Sequence, residues 1–459
     1  MTLMKSVLLG SAASLMVVAS AQAADLPTKK GAPAAEYVKV CKVGDIAGWI
    51  VPGTDTCLKI SGFVTARFMA GETHDVYSIT GAGALTKYVS ARQQDAYGTW
   101  TRGRITVDAA SNTAYGPLVA HMDMEDAFSG GYGEGNTSPG TPHVNVGNSG
   151  FQVDKAWITW AGITAGKVES FFDTAWFDGA VNSDMDLFAA DQSTNDFAYT
   201  ASFGGGFSAT IAMESPINSL ASSSWGAAAV AASTLVAPTA SDGDRSPDWV
   251  VSFDVKQGWG QAHVAGLLHE VRQQVTAGAF PTATADKWGW GVNGGVLFNL
   301  PSLGAGADFK ATATYTEGDY GQSGVQSPWY LNLGGVANNG GTGDIYYNTV
   351  SGTWKMPKIF TVAGGFDIPL GPTFKISPEV SYADVNISNP AGSLLSKNWD
   401  AFLGGATFEW DPVHNLSFAL DLLYEDGHQD RPTGYTAVFN NWKSNFNGFV
   451  GEFRVERDF

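Results

Sequence analysis

Hydrophobic and polar residues alternate with a period of two along most of this chain. In the final segment, one face would carry Phe449, Gly451, Phe453, Val455 and Phe459, and the other would carry Val450, Glu452, Arg454, Glu456 and Asp458. Successive side chains of a β-strand point to opposite faces of the sheet. The alternation therefore predicts strands that have one apolar face and one polar face.

Sixteen segments carry this pattern, and the fifth carries it least clearly. Their predicted spans are 57–70, 97–110, 114–125, 151–161, 163–168, 195–203, 206–214, 248–257, 258–271, 286–299, 304–316, 357–369, 372–384, 398–411, 414–425 and 446–459. Single-chain bacterial barrels of the outer membrane have an even number of antiparallel strands. The count of sixteen therefore fits a barrel in which successive residues of each strand face lipid and an aqueous lumen alternately.

Short and long connections alternate strictly between these segments. Short turns are predicted near Asn112 and at Gly162, Gly204-Gly205, Gly258, Pro301, Gly371-Pro372 and Asp411-Pro412. The long connections include 71–96, 126–150, 215–247, 317–356 and 426–445. Outer-membrane barrels have short turns at one rim and long loops at the other, whereas a soluble β-sandwich gives no reason for such an alternation. The predicted fold class is all-β: a transmembrane, 16-stranded, antiparallel up-and-down β-barrel with short periplasmic turns and long extracellular loops.

The amino-terminal residues have the parts of a secretory signal peptide. A basic start, Met1 to Lys5, precedes an apolar stretch that ends in Ala21-Gln22-Ala23, an A-x-A cleavage pattern. A transmembrane anchor is the alternative, but the apolar stretch is too short for one. We expect residues 1–23 to be a signal peptide, residues 24–56 to be an amino-terminal periplasmic segment, and residues 57–459 to form the barrel.

The overall composition fits a strand-rich exported protein. The formal net charge is −18, and such an acidic surface argues against nucleic acid as a partner. The chain has 56 glycines, and 12% of its residues are aromatic. Glycine together with tryptophan, tyrosine and phenylalanine is typical of barrels that have aromatic girdles.

Two cysteines, Cys41 and Cys57, lie in the part predicted to be exported. Disulfides form and persist in the oxidising compartments outside the inner membrane. A disulfide closing a loop of 16 residues is therefore the first interpretation. A metal-binding pair is the alternative, although no neighbouring histidine supports it.

The segment from Ile50 to Gly62, Ile-Val-Pro-Gly-Thr-Asp-Thr-Cys-Leu-Lys-Ile-Ser-Gly, resembles a motif of the alphaproteobacterial porins, the abundant porins of rhizobia and their relatives. The upstream Cys41, the Ala-Ala-Asp-Leu-Pro run that begins at Ala23 and the closing Gly-Phe-Val-Gly-Glu-Phe-Arg-Val run also match. The resemblance implies a sixteen-stranded barrel, a homotrimer, and passive diffusion of small hydrophilic solutes and ions. It also implies contact with outer-membrane lipid and lipopolysaccharide. The terminal Phe459 resembles the assembly signal of outer-membrane proteins.

The strand pattern places basic residues on the lumen face of three neighbouring strands. Closure of a barrel pairs the last strand with the first, so these residues would line one wall. The predicted basic wall consists of Lys59, Arg67, Arg102, Arg104 and Arg454. Selectivity in a pore comes from the charges at its narrowest ring, although a solvated wall without a selective role is the alternative.

The third long connection, about 169–194, is rich in acids and aromatics. Its acids are Glu169, Asp173, Asp178, Asp184, Asp186 and Asp191, and its aromatic residues are Phe171, Phe172, Trp176 and Phe177. A surface loop rarely carries four bulky aromatics without packing them. We expect this connection to fold into the lumen as a constriction loop, with its aromatics on the inner wall and its carboxylates facing the basic wall. An outward surface loop is the alternative.

The remaining motifs do not indicate an enzyme. Seven histidines are scattered without a metal-ligand spacing, and His263 and His269 are near each other only along one strand. Asp242-Gly243-Asp244 with Asp248 could bind Ca²⁺ weakly, but such a sequence is more often a turn. We expect no catalytic residue, no cofactor and no metal.

Three rival functions remain compatible with a barrel. A substrate-specific channel for sugars or dicarboxylates would share the fold and differ at the constriction. An outer-membrane lipase or protease would need a Ser-His pair or an acidic dyad at the rim, and the sequence has no convincing one. An adhesin or structural barrel would have a plugged lumen, which conductance in a planar bilayer would reveal.

Overall fold

A computed structural model describes residues 39–72, 76–79, 85–89, 96–131, 146–147, 150–177, 187–217, 239–275, 283–325, 343–348, 351–387, 398–430 and 444–459. Sixteen long antiparallel strands in these ranges form one sheet that closes on itself. The predicted signal peptide and residues 24–38 lie outside the described residues, so both remain predictions.

The barrel strands are β1 (Cys57–Gly71), β2 (Tyr97–Thr113), β3 (Gly116–Gly131), β4 (Gln152–Trp160), β5 (Ile163–Glu169), β6 (Ser193–Gly204), β7 (Phe207–Glu214), β8 (Asp248–Gln257), β9 (Gly260–Val275), β10 (Thr284–Asn299), β11 (Asp308–Glu317), β12 (Lys358–Pro369), β13 (Phe374–Asn386), β14 (Trp399–Val413), β15 (Leu416–Gln429) and β16 (Asn445–Asp458). Shorter strands at Val40–Val43, Ile46–Ile50, Val146–Gly147 and Thr239–Ser241 join the same sheet. Separate hairpins pair Val76–Ile79 with Leu85–Val89 and Tyr346–Asn348 with Thr353–Lys355, and a 3₁₀ turn spans Ala175–Phe177.

Closure occurs between the first and the last barrel strand. β16 pairs antiparallel with β1, from Val450 opposite Gly71 to Asp458 opposite Phe63. Every strand therefore has a hydrogen-bonded neighbour on both sides, which a bilayer requires because it offers no water to unpaired backbone groups. The predicted fold class is confirmed, and all sixteen predicted strands are present.

The two faces of the wall differ as the alternation predicts. Phe68 and Phe453 lie opposite each other on β1 and β16, and their side chains are 48% and 47% exposed on the outer face. The intervening Arg67 and Glu452 face inward and are 6% and 0% exposed. Large exposed apolar side chains recur on the outer face of most strands, as a lipid-facing wall requires. Among the described residues, no helix has the length and apolar character needed to cross a bilayer.

The short turns define one rim of the barrel, called here the turn rim, and the long connections define the opposite loop rim. The predicted turn at Gly162 is confirmed. Ala161 and Gly162 have φ values of 52° and 87°, and positive φ at both central residues characterises a two-residue type I′ hairpin.

Several predicted strand ends are wrong. The largest difference is at β3, which ends at Gly131 and not at 125. β11 begins at Asp308 and not at 304, because Gly304 and Gly306 have positive φ values of 145° and 85° that interrupt an extended strand. The turn predicted at Asp411-Pro412 lies three residues later, at His414-Asn415, where Asn415 has a φ of 60°. The register is irregular between Trp410 and Val413, where proline cannot donate a ladder hydrogen bond.

A hairpin formed by Val40–Val43 and Ile46–Ile50 closes part of the turn rim from within. It pairs with the start of β1 through Trp49 opposite Leu58. The predicted disulfide between Cys41 and Cys57 is present. Val43 and Ile46 pack against inward-facing residues at the turn-rim ends of β1, β2 and β3, which are Cys57, Ala110 and Val119.

Replacement of both cysteines with alanine is expected to release this hairpin while the barrel stays intact. In the chain-entropy model, a disulfide that closes a loop of this length contributes about 3 kcal/mol. Trypsin should then cleave faster after the exposed Lys39 and Lys42, as mass spectrometry of the fragments would show. Heat-modifiable migration on gels is the control for an intact barrel, and equal cleavage of the oxidised wild type and the variant would contradict the prediction.

Candidate functional site

The basic residues predicted for the lumen lie on three adjacent strands, β16, β1 and β2. Arg454 and Arg67 occupy directly opposite positions on β16 and β1. Like charges so placed repel each other, but each guanidinium has a compensating neighbour. The Arg67 Cζ atom lies 3.9 Å from the centre of the Trp100 ring, and its Nε lies 3.6 Å from Glu452 Oε1. Arg454 Nη2 lies 3.8 Å from Glu409 Oε2.

Arg102 and Lys59 extend this row toward the turn rim. Arg102 lies opposite Thr65, one inward position closer to the turn rim than Arg67. Its Cζ atom is 5.1 Å from the centre of the Phe63 ring. Lys59 lies closer still to the turn rim, opposite Asp108. All five residues lie on β16, β1 and β2, and their role as a selective basic wall remains a prediction.

Arg104 is surrounded by carboxylates from the next two strands. Its Nη2 donates to Glu125 Oε2 on β3 at 2.7 Å and to Asp154 Oδ2 on β4 at 2.8 Å. Asp123 Oδ2 lies 3.5 Å from its Nη1. Sequence reasoning did not include Glu125 or Asp154 in the site, although the alternation on β3 puts Glu125 on the same face as Asp123. Arginines therefore project inward from β16, β1 and β2, and carboxylates of β3 and β4 lie beside Arg104.

His121 joins the acidic part of the wall. Its Nδ1 lies 2.7 Å from Asp108 Oδ1, and its Nε2 lies 3.4 Å from Asp123 Oδ2. The ring stacks on Trp157 of β4 at a centroid distance of 3.7 Å. These contacts hold the imidazole between two carboxylates on the inner wall.

The third long connection, between β5 and β6, begins by bending onto the inner wall. Glu214 at the end of β7 accepts a hydrogen bond from Ser170 Oγ at 2.6 Å and another from the Phe171 backbone N–H at 2.9 Å. Phe172 is fully buried against inward-facing residues of β6, β7, β8 and β9, which are Ala198, Ala212, Val250, Ala265 and Leu267. Small alanine side chains on those strands leave the space that the phenyl ring fills.

The same connection then reaches β10 and β11. Thr174 Oγ1 donates to Asn293 Oδ1 at 2.7 Å and lies 3.0 Å from Thr312 Oγ1. Phe177 is buried, and Trp176 is half-buried. The described part of the connection therefore lies within the barrel, against its inner face, and not on the outer surface.

Inward-facing glycines on β10 make this approach possible. A Cβ atom on Gly291 would lie 3.0 Å from Phe172 Cζ, and one on Gly295 would lie 2.5 Å from Thr174 Cγ2. Large apolar residues occupy neighbouring outward positions of the same strand, among them Trp288, Trp290 and Val292. The alternation of tryptophan and glycine over 288–291 is the sequence signal that could have located this docking surface.

The part of the connection that returns to β6 contacts two other strands of the barrel, β13 and β14. Phe188 is buried, its N–H donates to Ser381 Oγ on β13 at 3.1 Å, and its ring lies 6.2 Å from that of Trp399. The Ser170 N–H donates to Gln192 O at 2.8 Å, which joins the start of the connection to its end.

The acids of this connection do not all face the basic wall as predicted. Glu169 is the last residue of β5 and pairs with Lys155 Nζ at 2.7 Å. Asp173 is buried and accepts the Gln192 N–H at 2.6 Å. Burial raises the pKa of Asp173 well above its usual value. Asp191 is half-buried near Asp173, and Asp178, Asp184 and Asp186 lie outside the described residues.

Comparison with known proteins identifies the family. The model of the porin subfamily matches residues 25–451. The chain belongs to the porin subfamily. This porin is similar to porin Omp2b of Brucella suis, with 32% identity over 212 residues, which cover 46% of this chain and 53% of the relative. It is also similar to porin Omp2a of Brucella melitensis, with 32% identity over 221 residues, which cover 46% of this chain and 55% of the relative. The chain thus spans about half the length of the curated relatives it matches.

A solved structure shows the same fold. The outer membrane channel DcaP of Acinetobacter baumannii superposes with a TM-score of 0.57 over 90% of this chain and 99% of that chain, at 12% identity. Family membership and the closed barrel together identify this porin as an outer-membrane protein of a Gram-negative bacterium and not as an enzyme.

Proposed function

We propose that this porin forms a water-filled channel through which small hydrophilic solutes and ions diffuse passively, and that the third long connection narrows it. The observation that supports this best is the seating of Phe172 and Thr174 on the inner wall of a closed barrel. A sixteen-stranded barrel is wide enough to leave an aqueous lumen. A connection that lies inside it reduces the cross-section at mid-height.

The charges on the inner wall would set which solutes pass most easily. Arginines on β16, β1 and β2 lie beside carboxylates on β3 and β4, so a field runs along the wall across this boundary. Polar molecules and hydrated ions can align in such a field, whereas apolar solutes cannot replace the ordered water. The net charge of −18 favours a weak preference for cations.

The partners of the channel follow from its outer surface. Exposed apolar side chains recur around the outer face, and they suit acyl chains of outer-membrane lipid and lipopolysaccharide. Some of this surface would be covered in a homotrimer, the assembly that we propose for this chain.

Conductance and solute diffusion test the proposal directly. The detergent-purified protein should insert into planar bilayers as discrete ohmic steps, and liposomes that contain it should swell more slowly as the size of a neutral sugar increases. Boiled protein, which loses the barrel, is the control.

Two results would contradict general diffusion. Bilayers that stay electrically silent would indicate a plugged structural barrel. Uptake that saturates with the concentration of one sugar or dicarboxylate, and is blocked by that compound, would indicate a substrate-specific channel.

A further inference from the structure

A buried cluster of carboxylates around one histidine lies near the loop rim, apart from the arginine and carboxylate wall described above. Asp248 begins β8, His269 lies on β9, Asp319 follows β11, and Asp344 lies in the connection between β11 and β12. Their exposed fractions are 2%, 0%, 1% and 0%. Charged residues are almost never fully buried unless they are paired or bind a metal ion.

The backbone brings these four residues together. Gly289 on β10 lies opposite His269 and has no side chain, so the chain after β11 can pass beside it. A Cβ atom on Gly289 would lie 2.5 Å from the carbonyl oxygen of Gly318. Gly318 itself has a φ of 78°, a turn conformation that glycine adopts without strain and that directs Asp319 toward His269.

Each side chain is oriented by a specific hydrogen bond. His269 Nδ1 lies 2.8 Å from Asp248 Oδ1. Asp319 Oδ1 accepts the Gln322 N–H at 2.9 Å, and Asp344 Oδ1 accepts the Tyr320 N–H at 2.8 Å. These contacts occupy one ring nitrogen of His269 and one carboxylate oxygen each of Asp319 and Asp344.

Two of the converging atoms have no hydrogen-bond partner, and both are buried. They are His269 Nε2 and Asp319 Oδ2. Asp344 Oδ2 lies 3.7 Å from His269 Nε2, which is too long for a hydrogen bond. One donor atom each from Asp248, His269 and Asp319 lies within 4.8 Å of the others. An unsatisfied buried polar atom destabilises the folded protein, so two of them at one point indicate a missing ligand.

We propose that His269 Nε2, Asp319 Oδ2 and Asp344 Oδ2 bind a divalent transition-metal ion, with Zn²⁺ as the representative. Two ligands that share a tetrahedral zinc ion at about 2.0–2.1 Å lie roughly 3.4 Å apart, close to the separation of His269 Nε2 and Asp344 Oδ2. Asp248 is the positioning residue. It accepts the other ring N–H of His269, as carboxylates commonly do behind a metal-ligating histidine.

The ligand types favour a transition metal over Ca²⁺ or Mg²⁺. Those harder cations prefer six or more oxygen ligands, whereas imidazole is a good ligand for zinc, copper, iron and nickel. A dipositive ion would also neutralise carboxylates that share one buried site.

The ion would fasten the connection between β11 and β12 to the barrel wall. The same connection contacts the third connection, because Gln322 Nε2 donates to Ser170 Oγ at 3.2 Å. A metal at this point would therefore hold two loops in place above the lumen. Its role would be structural, and it does not depend on which solutes pass through the channel.

Zinc titration of the folded protein tests the site. Detergent-solubilised wild-type protein, first treated with a chelator, should take up one Zn²⁺ per chain in competition with a chromophoric chelator, and Zn²⁺ should raise its thermal unfolding midpoint. Asp319→Asn and His269→Gln should lose this uptake and the thermal shift. Asp248→Asn should weaken binding about 10-fold to 100-fold, the usual cost of losing the partner of a ligating histidine.

His428→Gln is the matched control. His428 lies near the loop rim with its Nε2 3.8 Å from Asp430 Oδ1, but this pair is exposed, so its loss should leave uptake unchanged. Absence of stoichiometric uptake by the wild type would overturn the proposal without any variant. So would uptake by folded Asp319→Asn that equals the wild type, because zinc would then bind elsewhere.

Discussion

Substitution of Gly295 by leucine should enlarge the conducting path of this porin. A Cβ atom on Gly295 would already lie 2.5 Å from Thr174 Cγ2, and a leucine side chain would extend into the space that the third connection occupies. The connection must then leave its seat, since the barrel wall behind Gly295 is held by ladder hydrogen bonds on both sides. Overpacking of this kind costs about 1–3 kcal/mol, and displacement of a loop relieves it most easily.

The measurement is single-channel conductance in planar bilayers, which should rise, together with swelling rates for sugars that barely enter the wild type. Gly294→Leu is the matched control. Gly294 faces outward on the same strand, and a Cβ atom there would have its nearest neighbour at 3.7 Å. A folded Gly295→Leu variant with wild-type conductance would show that the connection does not limit flow.

Removal of Arg104 together with Arg102 should shift the ion preference toward cations. Arg104 contacts three carboxylates within 3.5 Å, and Arg102 lies 3.7 Å from one of them. After replacement of both arginines with alanine, those carboxylates face the lumen without their guanidinium partners. Cations would then concentrate at this wall, and the loss of two long side chains would also raise conductance.

The reversal potential across a salt gradient measures this shift. The experiment belongs at low ionic strength, because charges separated by more than about 10 Å are screened at 0.1 M salt. Arg457→Ala removes the same charge from an exposed position at the turn rim, where its Nη1 donates to Asn415 O at 2.9 Å, and should leave the potential unchanged. Glu125→Gln should shift it in the opposite direction. An unaltered reversal potential in the double variant would assign the two arginines a structural role only.

The barrel itself was predictable because its signal is local. Alternation along β16 distinguishes Phe453 from Arg454 within two residues, and the same rule applied to each strand gives the strand count and the inner face. Turn chemistry is equally local, as the positive φ values at Ala161 and Gly162 show. Where local signals conflicted, the boundaries were wrong, as at Gly304 and Gly306.

The contacts inside the barrel could not be predicted in the same way. Thr174 and Asn293 are 119 residues apart in the chain, and Ser170 and Gln322 are 152 apart. No periodic pattern connects such residues. Their meeting depends on strand register and on closure between β1 and β16, because a shift in register would place other side chains at the same height.

The amino-acid order thus specifies which side chains point inward, since successive side chains of a regular strand point to opposite faces. It also predicted the disulfide between Cys41 and Cys57, which the structure contains. The folded barrel alone brings Arg104 among the carboxylates of neighbouring strands, seats Phe172 on alanines from several strands, and gathers Asp319 and Asp344 around His269. The direction of a side chain can be predicted from its position in an alternating strand. A functional site, by contrast, needs residues from distant strands that only the closed sheet brings within a few ångströms of one another.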